Sequence, residues 1–117
     1  AIDVAGSDLR AKIPPEYGQL FDLRSLNFAE CDLYGEIPQE VINLPNLESF
    51  DVSANGIGGT IPSFAASSSM RNIVLRDNRL KGPLPDPLPT ELAVLDVSKN
   101  HITGTIPWSI KTLLLNI

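Results

Sequence analysis

The chain has 117 residues, 43% of them hydrophobic, with a formal net charge of −5 and a single cysteine. This length fits one small domain, and the apolar content is sufficient for a continuous core. The acidic balance argues against a nucleic-acid partner, one cysteine excludes an internal disulfide, and no apolar run approaches the roughly 18 residues of a membrane-spanning helix.

The first predicted element is a strand at the start of the chain. Ile2 and Val4 are two residues apart and point to one face, while Asp3 between them faces solvent. The same alternation returns four times, most clearly in the stretch LAVLDVSKNHITGTIP at residues 92–107, which has the spacing L-x-x-L-x-L-x-x-N-x-L. The five predicted units are residues 1–22, 23–46, 47–69, 70–91 and 92–117.

The spacing of these units is nearly constant. The apolar residue before the closing proline recurs at steps of 24, 24, 23 and 22 residues, from Ile13 to Ile106. A repeat of this length with one strand per unit predicts a solenoid, in which each unit buries its apolar edge against its neighbours. Glycine two residues before that position marks a second bend, where a missing side chain permits tight packing or positive φ.

A polar turn follows each predicted strand. We expect the asparagine amides in these turns to bond backbone groups of their own or the adjacent turn, because buried backbone polar groups are nearly always paired. We expect the cysteine in the second unit to be buried at the equivalent place. No metal site is expected there, since the single histidine, His101, lies three units away. The turn residues are Cys31, Asn55, Asn78 and Asn100.

The segments that return from one strand to the next differ in composition. Residues 13–23 and 37–47 could each hold a turn or two of short or 3₁₀ helix. Residues 63–70 (SFAASSSM) are small and polar, so we expect the loosest packing there. Residues 84–92 (LPDPLPTEL) contain too many prolines for a helix and should be extended.

The outward columns of the strands carry the candidate ligand-binding residues. In one interpretation they form an acidic groove for a basic peptide, in which Arg76 also pairs with a carboxylate in a bidentate manner. In the other they are a solvated surface whose charges keep the protein soluble, since no aromatic residue points outward there. In the free protein we expect Arg76 to pair with neighbouring aspartates. The candidates are Asn27, Asp51, Arg76, Asp77, Asp96 and Lys99.

The extended unit, in which Gly-x-Ile-Pro follows the leucine pattern, resembles the plant-specific class of leucine-rich repeats. This class is found in ectodomains of plant receptor-like kinases and receptor-like proteins, and in polygalacturonase-inhibiting proteins. The resemblance implies an α/β solenoid, a right-handed superhelix with a parallel concave β-sheet and a mostly irregular or 3₁₀ convex side. It often includes a second short strand after the asparagine turn. The paired-cysteine cap of that family has no counterpart here.

We expect a non-catalytic recognition module that needs no cofactor, because the sequence contains no phosphate loop, zinc spacing or nucleophile elbow. The resemblance implies a protein or peptide ligand and an extracellular or cell-surface location, as part of a receptor-like protein. The alternatives are a secreted inhibitor of a cell-wall-degrading enzyme and a structural surface or filament protein. Apolar residues at both ends predict a fragment of a longer array, or end-to-end self-association through uncapped termini. An outward aromatic is expected at Tyr34 on one flank. Trp108 on the convex return either points outward or, in the interpretation that we favour, packs over the C-terminal edge.

Overall fold

The computed structural model describes residues 1–67 and 69–105, and the backbone of residues 114–116. Our expectations for Ile106, Pro107 and Trp108 lie outside these residues. The described part of the chain contains two short helices, a 3₁₀ helix over Pro15–Gln19 and the single-turn helix α1 over Gln39–Ile42. The strands are β1 (Ile2–Asp3), β2 (Ser25–Asn27), β3 (Tyr34–Gly35), β4 (Ser49–Asp51), β5 (Gly56–Ile57), β6 (Asn72–Val74), β7 (Lys81–Pro83), β8 (Val94–Asp96), β9 (His101–Thr103) and β10 (Leu114–Asn116).

The main sheet is built from one strand of each unit. Within the described residues its order is β1-β2-β4-β6-β8-β10, and all of its neighbouring pairs are parallel. Phe50 in β4 lies beside Leu26 in β2 and Ile73 in β6, so equivalent residues of successive units stack in register. This arrangement confirms the parallel-strand solenoid of stacked coils.

A second set of strands follows the asparagine turns. β3 pairs with β5, and β7 pairs with β9, both in parallel. These strands confirm the expected second strand after the turn. A glycine within each of these strands or shortly after it has positive φ, for example 75° at Gly59. A Cβ built on Gly59 would lie 2.6 Å from the Cδ of Glu36 in the preceding unit. Because the exposed Glu36 side chain can move to relieve this contact, it is the positive φ that requires glycine at this bend.

The helical returns follow the sequence closely. Both helices begin after an Ile-Pro pair, and Pro14 and Pro38 hold extended backbone with φ of −68° before the first helical residue. The two helices pack on each other at Gly18, where an added Cβ would lie 2.7 Å from the Cβ of Glu40. Residues 84–92 contain no helix, as their prolines predict. No helix within the described residues is long and apolar enough to cross a membrane.

Ser67 and Ser69 lie in the return that we expected to be the loosest packed, and both bond the preceding unit. Ser67 is 8% exposed, and its hydroxyl donates to the Ile42 carbonyl at 2.7 Å. The Ser69 hydroxyl donates to the Pro45 carbonyl at 2.8 Å. Ile42 is the last residue of α1, where carbonyls have no partner within the helix. The serines therefore anchor this return to the end of the preceding one.

The core is one continuous cluster of apolar side chains along the solenoid, and Phe50, Ile73 and Leu95 are fully buried within it. The first unit departs from the others. Leu9 occupies the position that Leu33 has in the second unit, yet it is 43% exposed while Leu33 is 2% exposed. The reason is that, within the described residues, β1 is the edge strand of the sheet.

Candidate functional site

The outward surface of the six-stranded sheet, which we call the concave face, carries one residue per strand in register at its centre. Asn27 pairs in register with Asp51, Asp51 with Val74, and Val74 with Asp96. Together with Asp3 at the edge, these residues form what we call the central concave column. The three side chains from Asp51 to Asp96 are half-buried, so they form the floor of the face.

The polar members of the central concave column bond the backbone of their own turns. Each places its Oδ1 on the N–H two residues further along the chain, which is the geometry of an Asx turn. Asp96 Oδ1 also accepts the Ser98 hydroxyl at 2.6 Å. The sequence did not indicate this structural role. The N–H donors are Ala5 to Asp3 (3.2 Å), Ala29 to Asn27 (3.0 Å), Ser53 to Asp51 (2.9 Å) and Ser98 to Asp96 (3.1 Å).

Arg76 does not form the ion pairs that we expected. Its side chain is exposed, and the ion pairs within 4.0 Å among the described residues do not include it. The carboxylates of Asp51 and Asp96 instead turn toward the N–H groups of their own strand ends. A short charge-assisted hydrogen bond within a turn orders fewer side-chain torsions than a bridge between two long side chains across strands. The guanidinium therefore stands free on the concave face.

Asp77 and Lys99 occupy the turn just beyond the strands. Both are exposed, with φ of 61° and 54°, and Glu30 and Ala54 have the same left-handed backbone at equivalent positions. This conformation is uncommon for residues other than glycine, asparagine and aspartate. It is held by the bonds that each turn makes to its neighbours, as in the 3.0 Å bond from the Asp77 N–H to the Ser98 carbonyl. Both charges lie at the rim of the concave face.

The asparagine turns bond backbone as predicted. Asn78 is 7% exposed. Its Oδ1 accepts the Ile57 N–H at 3.1 Å, and its Nδ2 donates to the carbonyls of Val52 and Leu75 at 3.0 and 3.1 Å. Asn55 accepts two N–H groups of the preceding turn, from Cys31 and Leu33, at 3.0 and 2.9 Å. The amide thus joins each turn to the one before it.

Asn100 and Cys31 complete this ladder. Asn100 accepts the Leu80 N–H at 2.9 Å and donates to the Leu75 carbonyl at 2.8 Å. Asn55 and Asn100 are half-buried, so the expectation of full burial holds for Asn78 alone among the three. Cys31 is fully buried, and its thiol lies 3.2 Å from the Val4 carbonyl. The expected burial of the cysteine is confirmed.

A charged group at the entry of the strands was missed in the sequence. Glu48 lies between Arg24 and Arg71, at 3.1 Å from Arg24 Nη1 and 3.9 Å from Arg71 Nε. The only signal in the sequence is their shared position, one residue before β2, β4 and β6. These residues add two cations and one carboxylate at the side of the sheet where the strands begin.

An exposed aromatic side chain lies on the flank of the solenoid. Tyr34 is 51% exposed, as expected, and the Lys12 ammonium lies 5.8 Å from its ring centroid, within cation–π range.

Among the described residues, no group of three or more His, Cys, Asp or Glu side chains could hold a metal ion. The arrangement presents an open, charged sheet surface, which suits contact with an extended partner.

Comparison with known proteins agrees with this architecture. The family model for the Leucine Rich Repeat matches residues 46–67 and 91–113. Receptor-like protein 35 of Arabidopsis thaliana is 38% identical over 86 residues, which cover 73% of this chain and 9% of the relative. Receptor-like protein 7 from the same plant is 30% identical over 116 residues, covering 97% of this chain and 12% of the relative. The chain thus spans only about a tenth of the length of these relatives.

Solved structures give the same result. The ectodomain of the Arabidopsis thaliana receptor kinase GASSHO1/SCHENGEN3, in complex with CASPARIAN STRIP INTEGRITY FACTOR 2, is 33% identical with a TM-score of 0.90. The match covers 99% of this chain and 15% of that one. The plant peptide hormone receptor RGFR1, in complex with RGF2, is 35% identical with a TM-score of 0.84, covering 90% and 18%. The chain belongs to the plant-type leucine-rich-repeat family, whose repeats form receptor ectodomains.

Proposed function

We propose that this chain is a ligand-recognition module of a receptor-like protein at the cell surface, and that it binds an extended peptide or protein segment across its concave face. The observation that carries the proposal is the free, exposed guanidinium of Arg76 above a half-buried floor of Asp51, Val74 and Asp96. An unpaired charge beside a mixed polar and apolar floor is an arrangement that a complementary ligand can satisfy.

The relatives support this proposal. Among the matched ectodomains, RGFR1 is described as a peptide hormone receptor in complex with RGF2, and HAESA as a complex with a peptide hormone ligand. The relatives are recognition modules, and we extend the same non-catalytic role to this chain. The ligand would place basic groups over Asp51 and Asp96, and its binding should weaken as salt concentration rises.

The test begins with peptides selected from a phage-displayed random library on the immobilised chain. Their affinities are then measured by calorimetry at about 50 and about 300 mM salt. The informative variant carries Asp51→Asn and Asp96→Asn together, since asparagine keeps the Oδ1 that caps the turn, as Asn27 does for Ala29 at 3.0 Å. Two exposed pairs at about 0.2–1 kcal/mol each predict a loss of roughly 2- to 30-fold.

A matched control removes the same two charges from the helical returns, with Glu16→Gln and Glu40→Gln. Both residues are exposed and lie on the opposite side of the solenoid. We expect this control to bind as the unmodified chain does. Equal losses in the two double variants would mean that binding follows net charge only. Salt-independent binding that neither variant changes would move the site away from the concave face.

We also propose that the chain can associate end to end. Leu20 and Phe21 are 43% and 63% exposed and line one hollow with Ala1, next to β1. Exposed apolar side chains form a surface on which a further repeat or a second molecule can pack. Sedimentation across concentration tests this proposal, because association predicts a rising sedimentation coefficient. A sedimentation coefficient that stays at the monomer value at high concentration and in low salt would refute self-association.

A further inference from the structure

The Asx turns of the central concave column are interrupted once. In four strands the N–H that follows the strand end is taken by a side-chain oxygen of the same strand, at 2.9–3.2 Å. In β6 the residue at that position is Val74, which has no acceptor. The equivalent donor is the Arg76 N–H, and it makes no hydrogen bond to any acceptor among the described residues. One backbone donor is therefore open on the concave face.

The backbone around this donor is otherwise fully engaged. The Arg76 carbonyl accepts the Ala54 N–H at 2.8 Å and the Asn78 amide at 3.3 Å. By the register of β4 with β6, the carbonyl opposite this N–H is that of Val52. It already accepts two asparagine amides, at 2.9 and 3.0 Å. Because these carbonyls are occupied, the neighbouring backbone offers this donor no free acceptor, and a solvent or ligand oxygen can take it.

Arg76 offers two donors to the same place. Its backbone N–H is open, and its exposed side chain has no ion pair within the described residues. A guanidinium donates in a planar fork that fits a carboxylate, and a backbone N–H bonded to a carboxylate is a charge-assisted contact of the same kind. Val74 beneath them is half-buried and apolar, so this position of the column supplies no carboxylate of its own to Arg76.

We propose that the gap above Val74 is a subsite for a side-chain carboxylate of the ligand, which replaces the missing aspartate oxygen on the Arg76 N–H while its second oxygen faces the guanidinium. The inference rests on the proposed function and adds the chemistry of one ligand position. We assign this carboxylate to an aspartate or glutamate side chain and not to the end of the ligand chain, because strands lie on both sides of β6. An extended ligand that crosses the face continues past this point, and three of the four side-chain oxygens that the chain itself uses at this place come from aspartates.

The probes are the blocked peptides Ac-Gly-Asp-Gly-NH2 and Ac-Gly-Asn-Gly-NH2, with Ac-Gly-Gly as the free-carboxylate arm. Titration is followed by amide resonances of the ¹⁵N-labelled 117-residue chain. The aspartate peptide should shift the Arg76 amide in a saturable manner and several-fold more than the amides of Ser53 and Ser98, whose acceptors are internal. The asparagine peptide should shift it less. Without a probe, the Arg76 amide should exchange with solvent faster than those two amides.

Val74→Asp restores the internal acceptor and should abolish the Arg76 response, slow the exchange of its amide and raise the urea midpoint. Val74→Ile keeps the apolar floor and should leave the response intact. A response in Val74→Asp equal to that of the unmodified chain overturns the subsite, as does a response only to the free terminal carboxylate. Peptides selected on the concave face that bind Val74→Asp unchanged would also overturn it, while leaving the proposed function in place.

Discussion

Removing the Asn78 amide should destabilise the fold by a predictable amount. Asn78→Ala leaves the buried Ile57 N–H without its acceptor, which the structure places at 3.1 Å. Each of the three carbonyls that Asn78 bonds keeps a second donor, so only one buried group is orphaned. The penalty for such a group is about 1–3 kcal/mol. The second donors are Asn55 Nδ2 to Val52 O (2.9 Å), Asn100 Nδ2 to Leu75 O (2.8 Å) and the Ala54 N–H to Arg76 O (2.8 Å).

Urea unfolding of Asn78→Ala, at unchanged slope, measures this difference as a lower midpoint. Asn72→Ala is the matched control, because Asn72 belongs to the same unit and its side chain is exposed. A surface change of this kind is worth about 0.5 kcal/mol or less. If the two variants differ by less than about 0.5 kcal/mol, water replaces the amide and the ladder does not hold the turns together.

Further predictions concern single positions. The Cys31 thiol should react with an aromatic disulfide reagent much more slowly in the native chain than in urea, because it is fully buried; rapid native labelling would contradict this placement. Gly59→Ala should cost about 1–2 kcal/mol in thermal or urea melts because its φ is 75°. The neighbouring Gly58→Ala should be near neutral, since the nearest atom to its Cβ is the Arg79 carbonyl at 3.9 Å. Equal costs for the two would refute the backbone argument. Ser67→Ala should cost about 1 kcal/mol through its bond to Ile42, and an unchanged midpoint would show that the return is held otherwise.

The architecture was predictable because it repeats. A period kept over five units fixes which residues stack, so the register of Phe50 with its neighbours and the bonding of Asn55 follow from position alone. The second strands were implied by the family resemblance, and the repeated glycine indicated the bend at which Gly59 has positive φ. The assignment of each residue position in one unit could be checked against the other units, and this compensated for the ambiguous secondary structure of each short segment.

The surface chemistry was less predictable because it depends on competition between nearby partners. The residue spacing placed Asp51 and Arg76 on one face, but it did not say that the carboxylate would bond the Ser53 N–H at 2.9 Å instead of the guanidinium. The open N–H above Val74 is visible only when the turns are compared in three dimensions. Likewise, the polar composition around Ser67 gave no hint of the Ile42 carbonyl that anchors it, since that contact spans 25 residues.

The most direct test of the account maps a bound peptide onto the sheet. A peptide selected on the chain is titrated into ¹⁵N-labelled protein, and amide shifts are recorded at every assigned position. The account predicts shifts concentrated on the concave face and its rim, at Asn27, Asp51, Arg76, Asp77, Asp96 and Lys99, with the helices at Pro15–Gln19 and Gln39–Ile42 unchanged. Shifts confined to those helices or to the second strands would contradict recognition through the concave face.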